Sequence, residues 1–228
     1  MNYSVSVSPV SKADGNLKGF ANVVFGGSFK VSNIAILENK NGELFVSMPS
    51  YKSTEVDEEN RSVFKDVCNP ITKEFREELY GDILATFENR QEQKANAVKT
   101  AGQNVEMPEF VVKMTPYERE GSNIRGIGRV YFEDRFVVSN VLVLQGKDKQ
   151  FVSMPNYRTG KVSRENKPVY QDICYPVTKE FREKLYDEIL SCYQKERDKA
   201  VSERKEGKAG QQYQEASWKE REAELPFR

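Results

Sequence analysis

The sequence predicts an α+β protein of two tandem homologous units, each a small antiparallel β-sheet with a C-terminal amphipathic helix, pairing as a pseudo-symmetric intrachain dimer. Three observations predict it. Phe45-Val46-Ser47-Met48-Pro49 recurs as Phe151-Val152-Ser153-Met154-Pro155, and Thr72-Lys73-Glu74-Phe75-Arg76-Glu77 recurs at the same offset as Thr178-Lys179-Glu180-Phe181-Arg182-Glu183. In each copy, runs rich in β-branched and aromatic residues precede this second block. After it, apolar residues return every fourth position, the spacing of one helix face.

The elements follow in chain order. From residue 45 to 87 the copies align without a gap, and more than half of the positions are identical. Upstream, after a one-residue change in the loop at 39–42, Gly19 pairs with Gly126, Phe25 with Phe132, and Ser32-Asn33 with Ser139-Asn140. An N-terminal extended stretch and residues 19–25, 29–37 and 44–48 read as strands. Asn41-Gly42 is a strong hairpin signal, because both residues tolerate the positive φ of a type I′ turn. A polar segment then runs to Arg61, followed by a short strand at 63–67. Thr72 is placed to cap a helix whose positive end Glu74 favours. Phe75, Leu79, Ile83 and Phe87, matched by Phe181, Leu185, Ile189 and Tyr193, form the stripe that must bury against the sheet. A unit this small leaves a sheet face or edge open, which the second copy hides. The first unit is therefore placed at residues 1–88, a linker at 89–108, the second unit at 109–194, and a charged tail, helical or disordered, at 195–228.

Composition bounds the function. With 228 residues the chain accommodates two domains of about 100 residues. Lys plus Arg equals Asp plus Glu, 35 against 35, so no global field draws it to phosphate and any nucleic-acid surface must be a local patch. Three cysteines without close ligand spacing speak for a reducing, cytoplasmic location. No apolar run reaches the ~20 residues of a membrane span.

The chain has no histidine, which removes Ser-His-Asp, Cys-His and His-ligated metal chemistry, so no enzyme and no cofactor are expected. Cys68 and Cys174 occupy equivalent positions just before a helix. There an activated thiolate is conceivable, but a small buried core residue is the commoner role. Asp66 and Asp172 read as structural carboxylates, with a shared divalent ion as a remote alternative. The glycines at 26–27 and 121–128 match no phosphate-binding fingerprint and read as turn residues.

The candidate binding surface is repeated as well. Tyr51-Lys52 and Tyr157-Arg158 place an aromatic beside a cation after each Met-Pro, suited to stacking plus phosphate contact. Lys161, Arg164 and Lys167 follow in the second copy, where the first has Glu55, Asp57, Glu58 and Glu59, so the second copy is expected to bind nucleic acid better. Lys73, Arg76, Lys179 and Arg182 in the first helical turns extend the candidate patch.

The Phe-Val-Ser-Met-Pro-Ser block, the polar loop, Asp66-Val67-Cys68, Pro70-Ile71-Thr72 and the amphipathic helix together resemble the SpoVG family, stage V sporulation protein G. The resemblance covers most of both halves. It implies a sheet-plus-helix domain that dimerises, binds DNA and RNA as a regulator without catalysis, and influences septation, cell division and sporulation. Such proteins typically carry Ser, two basic residues and Thr after Met-Pro, whereas this chain has Ser50-Tyr51-Lys52-Ser53 and Asn156-Tyr157-Arg158-Thr159. Lys52 and Arg158 thus retain one cation each, and tyrosine replaces the other. The competing expectation is a module that recruits division or sporulation proteins through sheet edges, without nucleic acid. Further oligomerisation is compatible with either.

Overall fold

The computed structural model describes residues 1–10, 15–92 and 106–205. The expectations for most of the linker and for the tail around Tyr213, Trp218, Leu225 and Phe227 lie outside the described residues. Among the described residues each copy contributes seven strands and one helix. The first holds β1 (Tyr3–Pro9), β2 (Leu17–Phe25), β3 (Phe29–Glu38), β4 (Leu44–Ser47), β5 (Ser50–Val56), β6 (Ser62–Asp66), β7 (Cys68–Pro70) and α1 (Lys73–Glu92). The second repeats them as β8 (Phe110–Pro116), β9 (Ile124–Phe132), β10 (Phe136–Gln145), β11 (Gln150–Ser153), β12 (Asn156–Val162), β13 (Pro168–Asp172), β14 (Cys174–Pro176) and α2 (Lys179–Lys205).

The copies complete each other's sheets. In the first, β2 lies between β1 and β3, and the outer edge of β3 pairs with β4 along residues 35–38 and with β14 of the second copy along 29–31. The second sheet reciprocates, with β7 of the first copy on β10. All these pairings are antiparallel. The exchange is closed by equivalent backbone bonds: Ser32 N–H donates to Ile173 O and Ser139 N–H to Val67 O, both at 2.8 Å. The expected pseudo-symmetric pair is therefore built by strand exchange, which satisfies edges that each unit alone would leave open.

One core results. Phe25 packs 4.9 Å from Phe136, and Phe29 4.6 Å from Phe132, ring centroid to centroid with the planes tilted, so the four equivalent phenylalanines pair across the copies. All four are fully buried, in one cluster with residues of both sheets and both helices. The helices cover their sheets through the expected stripes, Phe75, Leu79, Ile83 and Phe87 on α1 and Phe181, Leu185, Ile189 and Tyr193 on α2, all buried. Thr72 and Thr178 cap them, each hydroxyl accepting from the backbone N–H three residues on, at 3.3 Å.

Two local readings are corrected. The β3–β4 connection is a hairpin, but Gly42 has a φ of 82° while Asn41 is not at positive φ. Asn39 O accepts from Gly42 N–H at 3.1 Å, and Asn39 N–H donates to Glu43 O at 2.9 Å. This is a type I turn followed by a left-handed glycine, which the longer loop permits where two residues would demand type I′. The polar segment after Pro49 is not a loop either: β5 pairs with β6, and β12 with β13, as separate two-stranded ribbons. Their strands are mostly exposed on both faces, so they lack the alternation by which a half-buried strand is read.

Candidate nucleic-acid interface

Each ribbon leaves the body at the Met-Pro pair and returns beside it, Val67 N–H donating to Pro49 O and Ile173 N–H to Pro155 O at 2.8 Å. Proline cannot donate to a ladder, so the chain turns out of the sheet there. The two ribbons flank a cleft of about 410 Å³. Tyr51 enters it from the first ribbon, and Tyr157, Arg158 and Tyr170 from the second. Val67, Ile173 and Pro155 supply apolar surface. The two tyrosines matched by the repeat thus share one site. Tyr157 donates its hydroxyl to Gln171 Oε1 at 3.1 Å, which holds the ring along its ribbon.

The electrostatics of the ribbons differ in sign. Residues 50–66 carry Lys52, Arg61 and Lys65 against Glu55, Asp57, Glu58, Glu59 and Asp66, a net charge of −2. Residues 156–172 carry Arg158, Lys161, Arg164 and Lys167 against Glu165 and Asp172, a net +2. In the first ribbon Lys65 pairs with Glu55 at 2.8 Å, and Arg61 with Asp57 and Glu59 at 2.8 Å. Bonds from the Arg61 backbone N–H and its guanidinium hold the Asp57 carboxyl below the usual range. In the second, Lys167 meets Glu165 at 2.7 Å, whereas Arg158, Lys161 and Arg164 form no ion pair among the described residues. Lys52 is exposed on β5 opposite Phe64 and likewise forms no ion pair among the described residues.

The helical cations are differently employed. Lys73 and Lys179 are exposed and sit 3.7 Å from Glu77 and Glu183. Arg76 donates to Pro70 O at 3.1 Å and Arg182 to Pro176 O at 3.3 Å, clamping each helix to the exchanged strand before it. Burial pushes the carboxyls of Asp66 and Asp172 up, and the neighbouring Arg76 and Arg182 partly reverse it. The phenols of Tyr80 and Tyr186 are raised by burial and by those same aspartates. Each copy thus has an Asp-Arg-Tyr group at the helix base.

Cys68 and Cys174 are fully buried beside each other where the exchanged strands meet, and burial plus this contact raises the Cys174 thiol well above its ordinary value. That environment suits core packing for both and opposes thiolate formation at Cys174. Among the described residues no cluster of Cys, Asp and Glu has the arrangement to hold a metal ion. Nor is any helix among them long and apolar enough to cross a membrane.

Asn140 is the residue that sequence reasoning missed. It lies in the cleft wall, 9% exposed, in a bulge where Ser139-Asn140 face the single residue Arg129 and where its φ is 58°. Asn33 has the equivalent bulge, with φ 62°. The available signal was an Asn in mid-strand in both copies, a residue type that tolerates this left-handed geometry.

Comparison with known proteins agrees with the duplicated architecture. The SpoVG family model matches residues 1–89 and again 107–195. A protein of Thermoanaerobacter sp. (strain X514) that carries the name septation protein SpoVG is 37% identical over 82 residues, covering 36% of this chain and 82% of the relative. Proteins of the same name from Clostridium perfringens (strain 13 / Type A) and Treponema denticola are 37% identical over 76 residues and 31% identical over 75. Each covers 33% of this chain, and 77% and 74% of the respective relative is matched. The family model matched by each copy in turn, with relatives matched over most of their own length, establishes that this chain belongs to the SpoVG family and carries two of its domains in tandem.

Proposed function

We propose that the chain is a non-enzymatic regulator that binds DNA or RNA through the second copy's ribbon, acting in septation and sporulation. The observation that carries this reading is the charge difference between equivalent ribbons. Both have the same fold, yet among the described residues 156–172 present three cations without carboxylate partners, Arg158, Lys161 and Arg164, where 50–66 present Lys52 alone. Phosphate affinity comes from such cations, and stacking on tyrosine adds sequence-tolerant binding. In a homodimer of single-copy proteins both ribbons would be identical, whereas tandem duplication lets one specialise and holds its partner at high effective concentration. The relatives' name supports the link to septation. Tyr51 in the cleft and Lys52 next to it on β5 serve as auxiliary contacts, and Lys73 and Lys179 as peripheral ones.

The test is binding of the full chain to a mixed pool of single-stranded DNA and RNA across a salt series, against a variant carrying Arg158→Glu, Lys161→Glu and Arg164→Glu. Binding that weakens with salt and is lost in the variant is the expected result. Absence of binding by the wild type even at low salt would reject the reading. It would favour capture of a division or sporulation protein instead, for which the acidic first ribbon is the candidate contact.

A further inference from the structure

The cleft holds a polar group that neither the fold nor the charge pattern employs. Asn140 Nδ2 is buried and has no hydrogen-bond partner among the described residues, while the residue itself lies in the cleft wall and is 9% exposed. Leaving a buried amide donor without an acceptor is unfavourable, and buried side-chain donors are in general paired. The bulge that places it there is repeated at Asn33, which is only half-buried and does not line the cleft. Among the described residues Asn140 thus brings a buried, unmatched donor to the cleft wall, whereas Asn33 is neither fully buried nor part of that wall.

The surroundings define what would match it. Tyr51, Tyr157 and Tyr170 supply aromatic surface, with Tyr170 53% exposed, and Arg158 stands on the same ribbon. Among the described residues no carboxylate lines the cleft to repel a phosphate. Its volume of about 410 Å³ falls in the range of about 300–1,000 Å³ usual for small-molecule pockets. Aromatic walls, one cation and one unpaired amide donor fit a heteroaromatic ring with an acceptor on its edge and a phosphate attached. A base stacked inside a duplex cannot reach such a recess, whereas an unstacked one can.

We propose that the cleft takes one unstacked nucleobase of a single strand, its edge accepting a hydrogen bond from Asn140 Nδ2, its ring lying against the tyrosines and its phosphate at Arg158. This deepens the nucleic-acid reading above and rests on it. Base contact then adds to phosphate contact at one point of the strand, and discrimination between strands originates there.

The test compares an oligothymidylate octamer with an abasic octamer of the same phosphate count, titrated into the full chain at fixed salt. Thymine offers two carbonyl acceptors, and the abasic strand offers phosphates alone. The wild type is expected to favour oligothymidylate at least five-fold, the lower end for stacking one base on an aromatic. Asn140→Gly, which keeps the left-handed backbone and deletes the donor, is expected to cut that preference about five-fold. Asn33→Gly imposes the same backbone change outside the cleft and is expected to leave the preference intact. Tyr157→Leu, at an exposed position, should lower the preference without affecting folding. Equal binding of both octamers by the wild type overturns the base cleft while leaving phosphate binding standing. A preference that survives Asn140→Gly unchanged overturns the assignment as well. If neither octamer binds, the nucleic-acid reading itself fails, and the base cleft with it.

Discussion

Phe132→Ala probes the claim that the two copies form one cooperative core. Phe132 is fully buried, packs on Phe29 of the other copy at 4.6 Å, and lies 6.4 and 6.5 Å from Phe110 and Phe181 of its own. Truncating a buried phenylalanine removes its transfer free energy and leaves a cavity, together about 3–5 kcal/mol. In a domain of this size each kcal/mol moves the midpoint by about 2–4 °C, so a fall of roughly 6–20 °C is expected. The part of the loss due to the ring pair is separable: Phe29→Ala combined with Phe132→Ala should depart from additivity by about 0.5–1.5 kcal/mol. The assay is thermal and urea unfolding with amide hydrogen exchange on β3 and β10. Because β14 pairs with β3 and β7 with β10, a lesion in the second copy should accelerate exchange in both strands alike through one transition. Two transitions, or a first copy whose β3 amides keep wild-type protection, would refute the shared core.

Two further outcomes are expected. Tyr3 donates its hydroxyl to Asp82 at 2.8 Å and to Glu78 at 3.2 Å, and burial with these carboxylates pushes its phenol far above the ordinary value. Its folded form holds the proton while the unfolded chain releases it near pH 10, so this stabilisation is complete below pH 10 and wanes above it. Tyr3→Phe should therefore flatten the alkaline fall of stability in urea titrations between about pH 9 and 11, and an unchanged fall would contradict the linkage. Cys192 is partly exposed whereas Cys68 and Cys174 are fully buried. Iodoacetamide should label Cys192 first in the native protein, with the other two protected until unfolding; early labelling of Cys68 or Cys174 would show that the strand exchange opens.

What was legible in the sequence follows from which physical signals are local. The stripes Phe75 to Phe87 and Phe181 to Tyr193 were readable because burial on one helix face imposes a period on the chain. The runs that became β2, β3, β9 and β10 were readable because core strands concentrate Val, Ile and Phe. The ribbons were not, since strands exposed on both faces impose no period, and Lys52 to Val56 look like any solvated segment. The exchange of β7 and β14 was invisible for another reason: each is a three-residue strand whose partner lies in the other copy, and nothing local encodes a partner. For the site, the repeat alone brought Tyr51 and Tyr157 forward as equivalents. Their meeting in one cleft depended on the exchange, and Asn140 on a bulge within a run of valines. Arg76 and Arg182 read as patch cations, and their bonds to Pro70 and Pro176 carbonyls emerge only when the strand before the helix is placed.

The two ribbons share a fold and differ in charge, so exchanging them isolates the proposed determinant. One chimera carries the sequence of residues 50–66 at 156–172, giving two ribbons of net charge −2. The reciprocal chimera carries two of net charge +2. The measurement is the dependence of single-strand affinity on salt concentration for each chimera beside the wild type. With Arg158, Lys161 and Arg164 each meeting a phosphate, the wild-type slope of log K against log salt should be about −2, from roughly −0.7 per contact on a single strand. The acidic chimera should lose binding and the basic chimera should bind more tightly with a steeper slope. Equal affinity and slope in all three proteins would contradict the assignment of nucleic-acid contact to the second ribbon.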